Sequence, residues 1–422
     1  MLFRSITEKT GISRATIMLV ATLIAIYSIS QFFRNAIGVI GPDLAREFDL
    51  DARALSVLVS IFFLSFAALQ IPLGMSIDRW GPKAAIVATA LLCVAGTVLF
   101  ALARDFPTLV AARLLIGAGC SSFFMGALTI YAERFPPQRF STMVGLQLGI
   151  GTLGALAATA PLAQSTRYFG WRASFLAIAA LTFVLTLLVV ALVRGSPEAQ
   201  ARRQAHRESF PQLLKGVLAA ARVPSFWPVF LMQATSYSAI AAILGLWGGP
   251  WLSQIYGLDL TERGNVLFAV VVVQIVGIFI WGPADRWFSS YRIPGLLGGA
   301  VCCAVALLGA LAPISAAWVT PFLLLYGFAF STTPVLTAHG RALFPPQLIG
   351  RGLTLLNIGT MGGVFAQQAI TGLVMESFGA IIVDGNRIYP PEAYRAVFGL
   401  IALELALALA LFYRAKIGRA HV

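Results

Sequence analysis

Long apolar stretches, each ended by a short polar or basic knot, recur along the whole chain. They run over Ala15–Ile40, Leu55–Ile77, Ala84–Ala103, Leu109–Tyr131, Thr142–Ala163, Ser174–Val193, Phe226–Ser253, Gly264–Trp281, Ile293–Ala312, Ala317–Leu336, Leu353–Met375 and Ala396–Tyr413. Each comes near the ~20 residues that an α-helix needs to cross the hydrocarbon core of a bilayer. The expected architecture is an all-α integral membrane protein with twelve transmembrane helices. Strands of a membrane barrel are about half as long and alternate polar with apolar residues, so run length excludes them.

The polar knots repeat as well. Phe135–Gln138 and Phe344–Gln347 both read Phe-Pro-Pro-Gln, Leu50-Asp51 returns as Leu258-Asp259, Asp78-Arg79 as Asp285-Arg286, and Ile150-Gly151-Thr152 as Ile358-Gly359-Thr360, at offsets of 207 to 209 residues. Duplication in so apolar a chain is the signature of a secondary transporter whose substrate site lies between two homologous bundles. The bundles are expected at 1–193 and 224–422, pseudo-symmetric and six helices each, with 194–223 as a cytoplasmic linker. Its basic stretch Arg202-Arg203-Gln204-Ala205-His206-Arg207 suits the surface of anionic lipid.

Composition agrees with this and changes how the charge is read. The chain is 59% hydrophobic and 11% charged, with mean hydropathy +0.85, whereas a soluble domain is about a quarter charged. The net charge of +13 therefore encodes topology and not nucleic-acid binding. With the N-terminus inside, 20 of the 30 Lys and Arg residues fall in cytoplasmic segments. Eight fall outside (Arg46, Arg53, Arg104, Arg167, Arg172, Arg263, Arg387 and Arg395), and Arg34 and Arg113 lie within spans. The positive-inside rule then places both termini in the cytoplasm of a multi-pass inner-membrane protein, expected as a monomer in the lipid bilayer. Met1–Arg14 reads as the lead-in to the first helix, because the apolar run behind it is too long for a signal peptide.

Enzyme chemistry finds no support. There is no Gly-Lys-Ser/Thr phosphate loop, the three histidines are scattered, and no two methionines stand four residues apart. The expectation is therefore no catalytic residue, no cofactor and no metal.

Between the second and third runs lies Gly74-Met75-Ser76-Ile77-Asp78-Arg79-Trp80-Gly81-Pro82-Lys83. On this pattern, and on Arg113, Gly117 and Gly119 in the fourth run, the chain resembles the major facilitator superfamily. That resemblance implies alternating access, a central cavity lined by spans 1, 4, 7 and 10, and a gating role for Asp78, Arg79, Gly81 and Lys83 at the cytoplasmic end. Arg113 would couple binding to closure or protonation. Phe33-Arg34 followed by Gly41-Pro42 is similar to the span-one pattern of the organic-anion and sugar-phosphate branch, the anion:cation symporter-like transporters. The chain departs from phosphate-ester carriers of that branch, since its seventh span has no second basic residue.

The residues themselves point to an anion. A basic side chain inside a span costs at least ~2.5–3.5 kcal/mol, so Arg34 and Arg113 are functional candidates by default. In the other copy their positions hold Ala242 and Phe322. Tyr27, Gln31 and Arg34 share one helix face, and Gln233 and Tyr237 stand one turn apart on the seventh span. With almost no acid in these helices, the cavity suits a small organic anion or zwitterion bound by Arg34 and oriented by Tyr27, Gln31, Gln233 and Tyr237. Glu404 is the one acid in mid-membrane and a candidate proton site for symport. Two alternatives remain. The aromatic residues Phe62, Phe63, Phe66, Phe123, Phe124, Trp247 and Trp251 would suit an exporter of amphipathic compounds, and a transporter-like sensor or assembly factor would bind without turnover.

The charge pattern yields a direct topological test. In intact cells an impermeant thiol reagent should label a cysteine placed at Asp259 or Asp384 and spare one at Arg203; labelling at Arg203 would reverse the orientation.

Overall fold

In the computed structural model, residues 14–193, 210–290, 292–345, 348–383 and 386–414 are described. The basic stretch 202–207, Pro346-Gln347, the Asp384-Gly385 turn and both chain ends lie outside them.

Span 1 is the helix Arg14–Glu47, and span 2 joins Ala52–Ala68 to Gln70–Trp80 across a 44° bend. Span 3 is Pro82–Leu102, and span 4 is Phe106–Cys120 followed by Met125–Arg134. Span 5 begins at Pro137–Gly151 and runs through Leu153–Ala157 into Ala160–Leu192, a helix broken at Gly170 with φ 80°, after which span 6 follows. Span 7 is Phe226–Ala242, a π turn at Ile243–Trp247, and Gly248–Tyr256. Spans 8 and 9 are Leu260–Trp281 and Arg292–Leu311. Span 10 is Ala316–Ala329 with Thr333–Leu343, span 11 is Ile349–Ser377, and span 12 is Pro391–Arg414. A further helix, Phe210–Ala221, precedes span 7. Leucines on spans 6 and 12 such as Leu187 and Leu407 face outward, as lipid contact requires.

The duplicated phrases mark helix ends. Asp51 caps span 2 by accepting the Ala54 N–H at 2.6 Å. Asp259 caps span 8 from Glu262 N–H at 2.8 Å, and Glu262 returns the bond to Asp259 N–H at 2.9 Å. Each such cap contributes about 1 kcal/mol. Phe135 and Phe344 end spans 4 and 10 in extended backbone. Pro137 then opens span 5 in the first turn, where its missing N–H costs nothing. Gly81, with φ 85°, reverses the chain between spans 2 and 3, a backbone that only glycine adopts readily.

Spans 1–6 and spans 7–12 pack mostly within their own sets and meet along three seams, span 1 with 7, span 2 with 11, and span 5 with 8. Glycine makes each seam close. A methyl group on Gly38 would strike the Leu244 carbonyl, one on Gly249 the Gly38 carbonyl, one on Gly372 the Ser56 hydroxyl, and one on Gly264 the Ala163 methyl. Close approach of small residues is how membrane helices gain packing energy where no hydrophobic drive exists between them.

All three seams gather toward one end of the molecule, where polar contacts add to them. Arg263 at the start of span 8 is buried, donates to the Val39 carbonyl at 3.0 Å and pairs with Asp43 of span 1. Between spans 11 and 12 a two-stranded antiparallel hairpin, β1 (Ile381–Val383) and β2 (Asn386–Ile388), reaches across. Its Arg387 donates to both carboxylate oxygens of Asp49 at 3.1 and 3.2 Å. Tyr389 accepts from the Ala52 N–H at 2.8 Å and donates to Glu376 at 2.6 Å. Burial, and then the bond to Glu376, push the Tyr389 phenol well above its ordinary pKa, so it stays a donor at physiological pH. At the opposite end, where both described chain ends lie, the second part of span 2 packs on span 3, and Asp78, Arg79 and Trp80 are exposed.

Candidate functional site

Span 1 carries Tyr27, Gln31 and Arg34 on one face because their spacings of three and four follow the helical repeat. The 1–7 seam brings that face to span 7. Arg34 Nη1 donates to the Tyr237 hydroxyl at 3.1 Å, and the guanidinium carbon lies 4.9 Å from the centre of the Phe66 ring. Among the described residues, no carboxylate is its partner. Arg34 Nε and Gln31 Oε1 are buried without a hydrogen bond, as are Gln233 Oε1 and Ser236 Oγ on span 7. Each such atom costs about 1–3 kcal/mol when nothing meets it, so a cluster of them marks a place for a polar ligand or ordered water. Tyr27 lies close enough to act electrostatically on Arg34, and its ring packs 5.3 Å from that of Phe124.

Span 11 contributes more than its sequence position suggests. Four hydrogen bonds fasten it to span 7: Gln233 to Thr360 at 3.3 Å, Ser238 to Gln367 at 3.1 Å, Gln368 to the Ala241 carbonyl at 3.2 Å, and Trp247 to Thr371 at 2.9 Å. Its polar residues, which make it one of the least apolar runs, are spent on this zip. Gln367 Nε2 and Gln368 Oε1 are left buried and unpartnered. The signal was present in the sequence as Gln367-Gln368 within an apolar run, but sequence reasoning passed over it.

Arg113 has a different setting from Arg34. It is fully buried and donates to the carbonyls of Leu58 at 3.1 Å, Phe33 at 3.0 Å and Val59 at 3.4 Å, with the Phe62 ring 4.8 Å from its guanidinium carbon. It clamps spans 1, 2 and 4 and fixes the carbonyl just before Arg34. In the second half Tyr326 of span 10 donates to the Ala239 carbonyl of span 7 at 3.0 Å, and Phe322 packs on Trp251 and Phe398. The tie is shared by both halves and the chemistry is not, which explains why the repeat carries no second arginine.

The remaining candidates lie apart from Arg34. Lys83 donates to the Val190 carbonyl of span 6 at 2.7 Å, within its own set of spans, and Arg79 lies over the Trp80 ring at 5.6 Å. Glu404 is half-buried on span 12. A cavity of about 620 Å³ bordered by Val20, Ile24, Ile150, Leu153, Ile178 and Leu185 is apolar and faces away from Arg34 between spans 1, 5 and 6. The Arg263–Asp43 and Arg387–Asp49 pairs had no signal in sequence, because both depend on how the halves dock.

The family model for the Major Facilitator Superfamily matches residues 23–366. The chain is 27% identical over 391 residues to a gentisate transporter of Corynebacterium glutamicum, covering 89% of this chain and 83% of that one. It is 31% identical over 406 residues to human monocarboxylate transporter 11, covering 87% and 81%. Among solved structures, a bacterial homolog of the human lysosomal transporter Spinster, inward-facing and unoccupied, superposes with a TM-score of 0.78 at 17% identity, covering 96% of this chain and 97% of that one.

The Arg113 geometry makes a prediction about stability. Arg113→Lys keeps the charge but cannot span three carbonyls, and should lower unfolding stability by about 1.5–3 kcal/mol. Thermal unfolding in detergent measures this, and an unchanged midpoint together with lost ligand binding would assign the guanidinium to substrate instead.

Proposed function

Because the chain belongs to the major facilitator superfamily, and is accordingly a membrane transporter and not an enzyme, we propose that it carries a small organic anion into the cell with protons. The observation that carries this reading is Arg34. A half-buried guanidinium with one neutral hydrogen-bond partner, an open Nε and no carboxylate partner among the described residues is a charge awaiting its counter-ion. A substrate carboxylate supplies that charge in bidentate form and takes over the bond now made to Tyr237. Gln31, Gln233, Ser236 and Gln368 offer amide and hydroxyl groups for the rest of the molecule, and Tyr27 and Tyr237 orient it. The names of the gentisate and monocarboxylate relatives agree with an acid as cargo.

In this reading residues 1–193 and 224–422 are the two bodies that rock, working as a monomer in the bacterial inner membrane. The sealed end faces outward, and the end with Asp78, Arg79, Gly81 and Lys83 is open to the cytoplasm. Opening outward parts the glycine seams, Arg263 from Asp43, and Arg387 from Asp49. The Asp78–Lys83 segment then braces the cytoplasmic end while Arg113 holds the Arg34 backbone in place. An anion entering against a negative-inside potential loses about 2.3 kcal/mol per charge per 100 mV, which a co-moving proton cancels. Glu404 is the proposed proton site. Of the aromatic residues that suit an exporter, Phe62, Phe63, Phe66, Phe123, Trp247 and Trp251 are buried in helix packing and Phe124 is half-buried, which favours the anion reading.

Uptake into proteoliposomes from a panel of labelled carboxylates, sugar acids, phosphate esters and amino acids tests the proposal. For the preferred substrate, Arg34→Ala should weaken binding more than about tenfold, the loss of a charge-assisted hydrogen bond, and Arg34→Lys should restore part of it. Wild-type affinity in Arg34→Ala would contradict the assignment.

A further inference from the structure

We propose that the apolar cavity between spans 1, 5 and 6 is a lipid site, holding one acyl chain of an anionic phospholipid whose headgroup rests on Arg14 and Arg139. The site is independent of Arg34 and of the cargo it takes. Its upper limit is set by two glycines of span 5. A methyl group on Gly154 would strike the Ser28 backbone, and one on Gly151 the Tyr27 ring, so the two helices touch there. Toward the start of span 5, Ile150, Leu146 and Met143 follow on a face that no longer meets span 1 closely, and about 620 Å³ opens between them. Ile178, Leu181 and Leu185 of span 6 form the third wall.

The space is long and dry. On span 1 its wall runs at helical spacing from Thr16 to Phe32, a rise of about 24 Å at 1.5 Å per residue. One leaflet supplies about half of a hydrocarbon core ~30 Å thick, so an extended acyl chain fits along that wall. The two lining hydroxyls, on Thr16 and Ser28, have partners, Ser28 donating to the Ile24 carbonyl at 3.0 Å. No lining side chain holds a buried polar atom left unmet, so the walls suit hydrocarbon and not a polar substrate. Leu153 and Leu181 on the rim are 55% and 46% exposed. The cavity thus opens sideways, where a bilayer offers lipid chains and not water.

Charge at the mouth selects the headgroup. Arg14 stands one turn before Ile17, and Arg139 one turn before Met143, so each lies on the face of its helix that leads into the cavity. Both are exposed. Span 4 ends beside them in Glu133-Arg134-Phe135, and Phe135 lines the cavity as well. Three arginines against one glutamate leave this mouth positive. Arginine stems cover apolar surface while the guanidinium reaches the headgroup layer, where each basic residue favours an anionic lipid roughly fivefold. Spans 1 and 5 carry two of the three seams, so a chain lodged between them and span 6 backs both as one body when the seams part.

Full-length protein, delipidated in detergent, tests this with two probes that differ only in headgroup. Phosphatidylglycerol and phosphatidylcholine, each with a photoreactive diazirine on one acyl chain, are titrated and the labelled residues mapped by mass spectrometry. Label should concentrate at 17–29, 143–157 and 178–185, ahead of outward residues such as Leu407, and phosphatidylglycerol should reach half-labelling at a concentration about tenfold lower or better. Arg14→Gln combined with Arg139→Gln should erase that preference and leave labelling by phosphatidylcholine unchanged. Ala21→Trp and, independently, Ala157→Phe put a ring into the cavity from exposed lining positions. Each should bring labelling at 178–185 down to that of Leu407. Even labelling of all lipid-facing helices, or unchanged labelling in both cavity-filling variants, means surrounding bilayer lipid only and overturns the proposal. A headgroup preference that survives loss of both arginines overturns it too, as does cross-linking of two chains through the cavity, which would give it to a second copy.

Discussion

Two backbone contacts between spans 1 and 7, at Gly38 and Gly249, set the spacing on which the rest of the molecule depends. Neither position has room for a Cβ, so the helices touch main chain to main chain. Arg34 lies one turn from Gly38 and is thereby delivered to Tyr237 across the seam. One turn further toward the sealed end, Asp43 meets Arg263, and the hairpin beyond it closes over both halves. The π turn Ile243–Trp247 sits where span 7 makes this contact, an element often found where a helix must shift its face for function.

The magnitudes favour a state that can open. Arg387 and Asp49 are 34% and 76% exposed, and a pair so wet contributes about 0–1 kcal/mol. Arg263 and Asp43 are more enclosed, at 5% and 30%, but each must be desolvated to pair, which offsets much of the attraction. Glycine packing along the seams therefore carries much of the closure, and packed seams separate as units. A substrate need supply only a few kcal/mol of differential affinity to shift such an equilibrium. Filling the unmet valences around Arg34 is a source of that size.

Much of the fold was legible because a bilayer imposes so crude a rule. Apolar runs of sufficient length gave the twelve spans, the duplicated Leu-Asp phrases turned out to be helix caps, and Phe135 and Phe344 turned out to end helices, with Pro137 opening the next, which is local chemistry. The Arg34 stripe and its Tyr237 partner could be anticipated for the same reason, since helical periodicity fixes a face. What could not be read depended on tertiary register. Arg263 looked like a loop charge until docking buried it on Val39 and Asp43. Arg113 looked equivalent to Arg34 by cost and by its absence from the repeat, yet its guanidinium is spent on three carbonyls. Span 11 read only as one more apolar run, because the partner of each polar side chain lies more than a hundred residues away on span 7.

The central claim is that Arg34 is an anchor waiting for an anion. A cryo-EM structure of the chain in nanodiscs with the preferred substrate at saturation tests it most directly. The expected result is substrate density against the Arg34 guanidinium, with the Tyr237 hydroxyl moved off its present 3.1 Å contact. Density lodged elsewhere, with the Arg34–Tyr237 bond intact, would contradict it.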